Sequence, residues 1–229
     1  MTRRLCLETW QHAGPVVLPS LLLCDFGNLE REVRRLEEAG VKALHLDVMD
    51  GVFVPNLTYG MPIVEGLRRL TDMPLDVHLM IQRPEKYLRQ FHSAGADVLT
   101  VHIEAVEDAQ AILGQIRDLD MGAGIAINPS TPMTRFEAAL PYADLALVMS
   151  VEAGFGGQSF HEIALERMAH VRRVAQKNLL IEVDGGINTK TIARASSAGA
   201  TLFVVGSAIF GQSDYGTAVS ELSALAKGV

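Results

Sequence analysis

Short apolar runs recur along the chain at residues 16–23, 43–48, 75–81, 98–103, 123–127, 145–150, 179–183 and 202–205, and each has the length of a β-strand. The segments between them carry helical periodicity, as in NLEREVRRLEEAG with Leu29, Val33 and Leu36 on one face and in the closing SELSALAKG, and several end in glycine. The stretches EEAGVKALHLDV, HSAGADVLTVHI and SSAGATLFVVG each run from helix through Ala-Gly into strand, so one structural unit is used repeatedly. Eight strand–helix units in 229 residues, about 28 residues each, predict an α/β protein built as a single (β/α)8 TIM barrel, with an open doubly wound sheet as the structural runner-up. The barrel domain is expected to span residues 1–229, with 1–14 a short N-terminal arm before the first strand. A barrel predicts that the chemistry gathers at the C-terminal ends of the strands, where the loops form the open mouth.

The composition narrows the class of partner. Apolar residues make up 48% and charged residues 21%, as in globular proteins, and no run approaches the roughly 18 apolar residues a membrane span requires. The formal net charge of −7 argues against a nucleic-acid or anionic-membrane footprint, so a phosphorylated substrate would need a local anion site. Cys6 and Cys24 have neither zinc-knuckle spacing nor the density of a disulfide scaffold, which fits a reduced, cytoplasmic setting. MTRRLCLETWQHAG lacks the apolar core and cleavage site of a secretory signal.

The candidate chemistry lies where the barrel expectation puts it. In the second strand His45 and Asp47 are two residues apart and so share a face, and in the third strand Asp76 and His78 repeat the alternation. The seventh ends in Asp184. Two imidazoles and two carboxylates converging on one mouth suit a divalent first-row ion, Zn²⁺, Fe²⁺, Mn²⁺ or Co²⁺, and the donors leave its identity open. Taken singly, each of these residues reads as a hydrogen-bonded strand end; taken together, they read as a metal site. Asp76 lies deeper than His78 and Asp50 begins a turn, so supporting or capping roles are expected for both, and His102 and Glu104 are weaker candidates of the same kind.

Glycine-rich turns mark the other half of the expected site. Gly154, Phe155, Gly156 and Gly157 follow the sixth strand, Gly185 and Gly186 follow the seventh, and Gly206 with Ser207 closes the eighth. Such turns let backbone N–H groups approach an anion, and loops after the seventh and eighth strands hold phosphate in barrels of this kind. Met49, Met80 and Met149 fall near the same strand ends and either roof the site or fill ordinary core.

The segments PSLLLCDFGNL, HLDVMDGVFVPNLTYG, LDVHLMIQRPEKYL, MSVEAGFGGQSF, EVDGGIN and VVGSAIF, in order from Pro19 to Phe210, resemble the successive signatures of the ribulose-phosphate 3-epimerase family. The resemblance implies an isomerase that interconverts D-ribulose 5-phosphate and D-xylulose 5-phosphate, with His45, Asp47, His78 and Asp184 as metal ligands. It further implies Asp47 and Asp184 as the acid/base pair, and Ser20, His78, residues 154–157, Asp184, Gly185, Gly186, Gly206 and Ser207 as substrate-binding positions. Family members form homo-oligomers, so the same is expected here. One departure is Ala153, where the family has Pro before the Gly-Phe-Gly-Gly run, so a less preorganised loop is expected.

The residue types suit that reaction. Epimerisation at C3 of a 2-ketose removes a proton beside a carbonyl and returns one to the opposite face, and a divalent ion on the C2 and C3 oxygens would stabilise the enediolate. Two acid/base groups from opposite walls then invert the centre, one ionised and one protonated. Alternatives are a 3-epimerase of a six-carbon ketose phosphate such as allulose 6-phosphate, a barrel aldolase or formaldehyde-fixing synthase, and a non-catalytic sugar-phosphate-binding barrel.

Overall fold

The computed structural model describes residues 4–228; of the expected N-terminal arm, residues 1–3 lie outside the described residues. Eight strands alternate with helices along the whole chain. They are β1 (Val16–Pro19), β2 (Leu44–Met49), β3 (Leu75–Met80), β4 (Val98–His102), β5 (Gly122–Ile127), β6 (Leu145–Met149), β7 (Leu180–Asp184) and β8 (Leu202–Val205). The helices are α1 (Leu5–Ala13), α2 (Leu29–Glu38), α3 (Met61–Leu70), α4 (Leu88–Ala94), α5 (Ala109–Asp118), α6 (Met133–Ala139), α7 (Ile163–Val174), α8 (Ile192–Ser197), α9 (Ser207–Phe210) and α10 (Tyr215–Lys227).

All ladder pairings are parallel, in the order β1-β8-β7-β6-β5-β4-β3-β2, and a parallel bridge from Ser20 to His45 brings the two ends of the sheet together. The result is the expected (β/α)8 barrel, not an open doubly wound sheet. The strands read as near-continuous apolar runs because both of their faces are buried, one under helices and one inside the barrel.

Alternation along each strand separates two apolar layers. Leu44, Leu46 and Val48 of β2 face outward and pack with Val33 and Leu36 of α2 and Val64 and Leu67 of α3. The inward set, including Val16, Leu18, Val98, Leu145, Leu147, Leu180 and Leu202, fills the barrel's lower interior together with Cys6, Leu7 and Trp10 of α1. Helix α1 therefore plugs the N-terminal end of the barrel, with Trp10 only 2% exposed. Arg4 and Arg117 both reach Asp144 there, at 3.0 and 2.8 Å, and Asp144 also accepts from the backbone N–H of Ala123.

The apolar run expected as a strand over 16–23 is shorter in the structure. After Pro19 and the Ser20 bridge, the Ser20 hydroxyl accepts from Leu22 N at 3.3 Å, turning residues 21–23 into a 3₁₀ turn. That turn delivers Ser20 to the mouth.

Candidate active site

His45, Asp47 and Met49 point into the barrel from β2, with Ser20 beside them at the β1–β2 seam, and His78 and Asp184 approach from β3 and β7. One ligand atom from each of His45, Asp47, His78 and Asp184 lies within 4.8 Å of the others, so the structure brings the four expected residues together. Asp47 is the hub. Its Oδ2 accepts from Ser20 Oγ at 2.6 Å, while its Oδ1 lies 3.1 Å from His78 Nδ1 and 3.4 Å from His45 Nε2. Its strand is braced by Thr58, whose hydroxyl donates to the Asp47 carbonyl at 2.7 Å, and by Tyr59, whose hydroxyl accepts from Asp47 N.

Beneath the hub, His45 Nδ1 lies 2.7 Å from Asp76 Oδ2, and since a carboxylate only accepts, that nitrogen carries the proton. The lone pair of His45 then sits on Nε2, which is buried and makes no hydrogen bond among the described residues. An orphaned buried imidazole nitrogen facing two carboxylates can be satisfied by a cation, and the imidazole and carboxylate donors suit a divalent metal. The electrostatics agree. Burial alone would push the His45 imidazole down, but Asp47 and Asp76 outweigh it and hold it well above its ordinary range. Positive charge is favoured at this point.

The two expected acid/base carboxyls are held differently. Burial raises Asp47, yet His45 and His78 more than offset it and keep the carboxyl well below the usual range. Burial, followed by the charge of Asp47, pushes Asp184 up to about 7. Glu182, inward on β7 two residues before Asp184, is pushed well above its ordinary value by burial and then by Asp76. It lies 3.3 Å from His45 Nδ1. The alternation that exposed His45 and Asp47 in the sequence also singles out Glu182, which the sequence reading passed over.

Asp50 caps the loop after β2: its Oδ1 accepts from Val52 N and Phe53 N, and its Oδ2 from Gln82 N, each at 2.8 Å. His102 lies against His78, and Glu104 against His102, at the end of β4. Met49 and Met80 form a small apolar cluster with Val54, and with Met149 they line the cavity above Asp47 and Asp184. Both readings open for these methionines hold, since all three line the cavity and are also buried in apolar core, Met149 with Leu145 and Leu147.

The same cavity is lined by Gly154, Phe155, Gly156, Gly157, Gly185, Gly186, Gly206 and Ser207, so the glycine turns face the carboxylates across one space. Gly186 cannot carry a side chain. Its φ is +60°, and a Cβ there would stand 2.5 Å from Phe160 N. The loop after β6 is braced on three sides: Ala153 N donates to Asn128 Oδ1 at 3.0 Å, Asn56 Nδ2 to the Gly154 carbonyl at 2.7 Å, and Gln158 Nε2 to the Glu152 and Phe155 carbonyls at 2.9 Å. The N–H that a proline at 153 would lack is thus used, which supplies order the missing ring does not. Asn128 and Asn56 went unmarked in the sequence because their roles depend on loops 25 and 98 positions away.

Comparison with known proteins converges on one family. The model of the ribulose-phosphate 3 epimerase family matches residues 16–210. A protein named ribulose-phosphate 3-epimerase from Bacillus subtilis (strain 168) is 46% identical over 210 residues, covering 90% of this chain and 97% of that one. Another of the same name from Synechocystis sp. is also 46% identical over 210 residues, covering 90% of this chain and 91% of that one. Among solved structures, 3-keto-L-gulonate-6-phosphate decarboxylase from Vibrio cholerae superposes with a TM-score of 0.71 at 19% identity, over 94% of this chain and 98% of that one, a likeness of fold.

Proposed function

The chain belongs to the ribulose-phosphate 3-epimerase family, and we propose that it interconverts D-ribulose 5-phosphate and D-xylulose 5-phosphate by moving protons at C3 between Asp47 and Asp184. It is an isomerase. The observation that carries the mechanism is that two carboxyls from different strands, the buried Asp47 and the half-buried Asp184, line one cavity, the first held below the usual carboxylate range and the second pushed up to about 7. Pairs whose environments divide them in this way act as base and acid.

His45, Asp47, His78 and Asp184 would hold one divalent ion, Zn²⁺ or Fe²⁺ ahead of Mn²⁺ and Co²⁺. When bound, such an ion supplies Lewis-acid stabilisation of negative charge developing on the substrate oxygens, worth several kcal/mol. The protein's own groups do the rest. Asp47, ionised, takes the C3 proton from one face, and Asp184, protonated, delivers one to the other, their roles exchanging in the reverse direction. Ser20 holds Asp47 by the hydroxyl contact at 2.6 Å, so the base is aimed before substrate arrives. Met49, Met80 and Met149 keep the reacting face dry, which strengthens each electrostatic contact.

The substrate phosphate is assigned to the glycine turns after β6, β7 and β8, with Gly154, Phe155, Gly156, Gly157, Gly185, Gly186, Gly206 and Ser207 on it or beside it. A local backbone site of this kind answers the net charge of −7. The names of the relatives favour the five-carbon substrate over a six-carbon ketose phosphate, and two-sided proton transfer gives Asp184 a task that aldol chemistry or simple binding does not. We place the enzyme in the cytoplasm and as a homo-oligomer, with the whole chain as one barrel domain. No helix among the described residues is long and apolar enough to cross a membrane.

Solvent-deuterium exchange tests the proton path. Two-base epimerisation in D₂O puts solvent deuterium at C3 of the product in both directions. Full retention of the original hydrogen through inversion would refute the assignment of Asp47 and Asp184.

A further inference from the structure

No lysine or arginine among the described residues lines the cavity, although the substrate assigned to it carries a phosphate. An anion there is held by backbone N–H groups, which act as fixed partial charges. They hold it well only where they stand preset at the right spacing and water is kept away. Whatever sets that spacing is part of the site.

The loop after β6 is tied by hydrogen bonds at Ala153, Gly154 and Phe155. Its tip is not: Gly156 and Gly157 make no hydrogen bond among the described residues. Leu23 touches the tip instead. It ends the 3₁₀ turn that Ser20 begins, it is 39% exposed, and it lines the same cavity. A Cβ on Gly156 would stand 3.1, 3.2 and 3.3 Å from Leu23 Cδ2, Cγ and Cδ1. Across the cavity, a Cβ on Gly206 would meet Leu23 again, 3.0 Å from Cδ1 and 3.6 Å from Cγ. One isobutyl group is therefore wedged between the tip of the loop after β6 and the turn after β8. It fills the space that a side chain on either glycine would take, which leaves the amide edges of both turns to a ligand.

We propose that Leu23 is a positioning residue for the substrate phosphate: it holds Gly156 and Gly206 at the spacing at which the backbone N–H groups of the two turns receive one anion, and it covers that anion from solvent. The inference rests on the assignment of the phosphate to the glycine turns. An apolar side chain suits the task. A side chain with acceptor oxygens would compete for the same N–H groups, and an acidic one would also repel the anion, whereas isobutyl does neither. By excluding water it strengthens the hold of the amide dipoles in a cavity with no lysine or arginine. Presetting the two turns before substrate arrives lowers the ordering cost of binding.

Leu23 lies at the rim of the mouth, so Leu23→Ala should fold, with circular dichroism and Zn²⁺ affinity as in the wild type. Its KM for D-ribulose 5-phosphate and its inhibition constant for inorganic phosphate are expected to rise together, about tenfold, with kcat within about twofold of the wild type. Leu23→Met, which keeps the apolar volume, should restore both. Titration of inorganic phosphate followed by ³¹P NMR reads the same loss without turnover, and ¹⁵N order parameters of residues 155–157 should fall in Leu23→Ala. Unchanged phosphate affinity in Leu23→Ala, or a fall in kcat with KM unchanged, would overturn the proposal while leaving the anion site standing. A wild type that neither binds inorganic phosphate nor is competitively inhibited by it would instead remove the anion site from the glycine turns, and the role of Leu23 with it.

Discussion

The Ser20 hydroxyl donates to Asp47 Oδ2 at 2.6 Å across the seam where the first and last strands of the sheet order, β1 and β2, come together. Closing the barrel and aiming the proposed base are thus one event. Removing the hydroxyl in Ser20→Ala leaves one Asp47 oxygen short of a donor in a buried site, a loss of about 1.5–3 kcal/mol for a bond to a charged group. Steady-state kinetics should show kcat/KM down by roughly one to two decades with the fold intact by circular dichroism. An unchanged rate would mean that Asp47 needs no such support.

Asp47→Asn and Asp184→Asn should each lower kcat by about 10²–10⁴, the range of a lost acid/base group. Each variant keeps the carboxyl that serves one face. Exchange of the C3 hydrogen with D₂O should therefore persist for one epimer in each variant while inversion is lost. A variant that changed KM alone would contradict the assignment.

Gly186→Ala places a Cβ 2.5 Å from Phe160 N at a φ of +60°, so the turn after β7 must shift. The strain is about 1–2 kcal/mol before any clash is counted. Its expected signature is a raised KM and a weakened competitive inhibition by inorganic phosphate, with metal affinity little altered. Metal loss with phosphate binding intact would place the phosphate elsewhere.

In the outer ring, the Tyr215 hydroxyl donates to the buried Glu32 at 2.5 Å, tying the first turn of α10 to that of α2 where the ring of helices closes, and the Arg35 guanidinium lies 3.6 Å above the Tyr215 ring. Tyr215→Phe should cost about 1.5–3 kcal/mol. For a domain of this size that is a fall in Tm of roughly 3–12 °C. Thermal unfolding should show it, with kcat and KM unchanged.

Much of this architecture was legible in the sequence, because strands buried on both faces announce themselves as continuous apolar runs. β8 was read to the residue and β2 to β7 to within one or two. The error in β1 came from reading on through Leu21–Leu23, where hydrophobicity continues but the Ser20 hydroxyl turns the chain out of the strand. Helix α1 was not distinguished within residues 1–14: its N-terminus has no side-chain cap, so only the apolar face of Cys6, Leu7 and Trp10 marks it. In the site, period-two alternation exposed His45 with Asp47 and placed Asp76 below His78, because those pairs depend on neighbours within one strand. Glu182 lay within reach of the same alternation and was passed over, whereas Asn56 and Asn128 were beyond it, since their partners come from distant loops. The loosening expected from Ala153 is countered by Asn128 for the same reason.

The central claim is a metal-supported epimerase built on Asp47 and Asp184. Its most direct test is conversion of D-ribulose 5-phosphate to D-xylulose 5-phosphate by the purified protein before and after chelation, with Zn²⁺, Fe²⁺, Mn²⁺ and Co²⁺ added back singly. The account predicts activity that chelation abolishes and at least one of these ions restores. Folded protein that is inactive with every ion, or equally active after complete removal of metal, would contradict it.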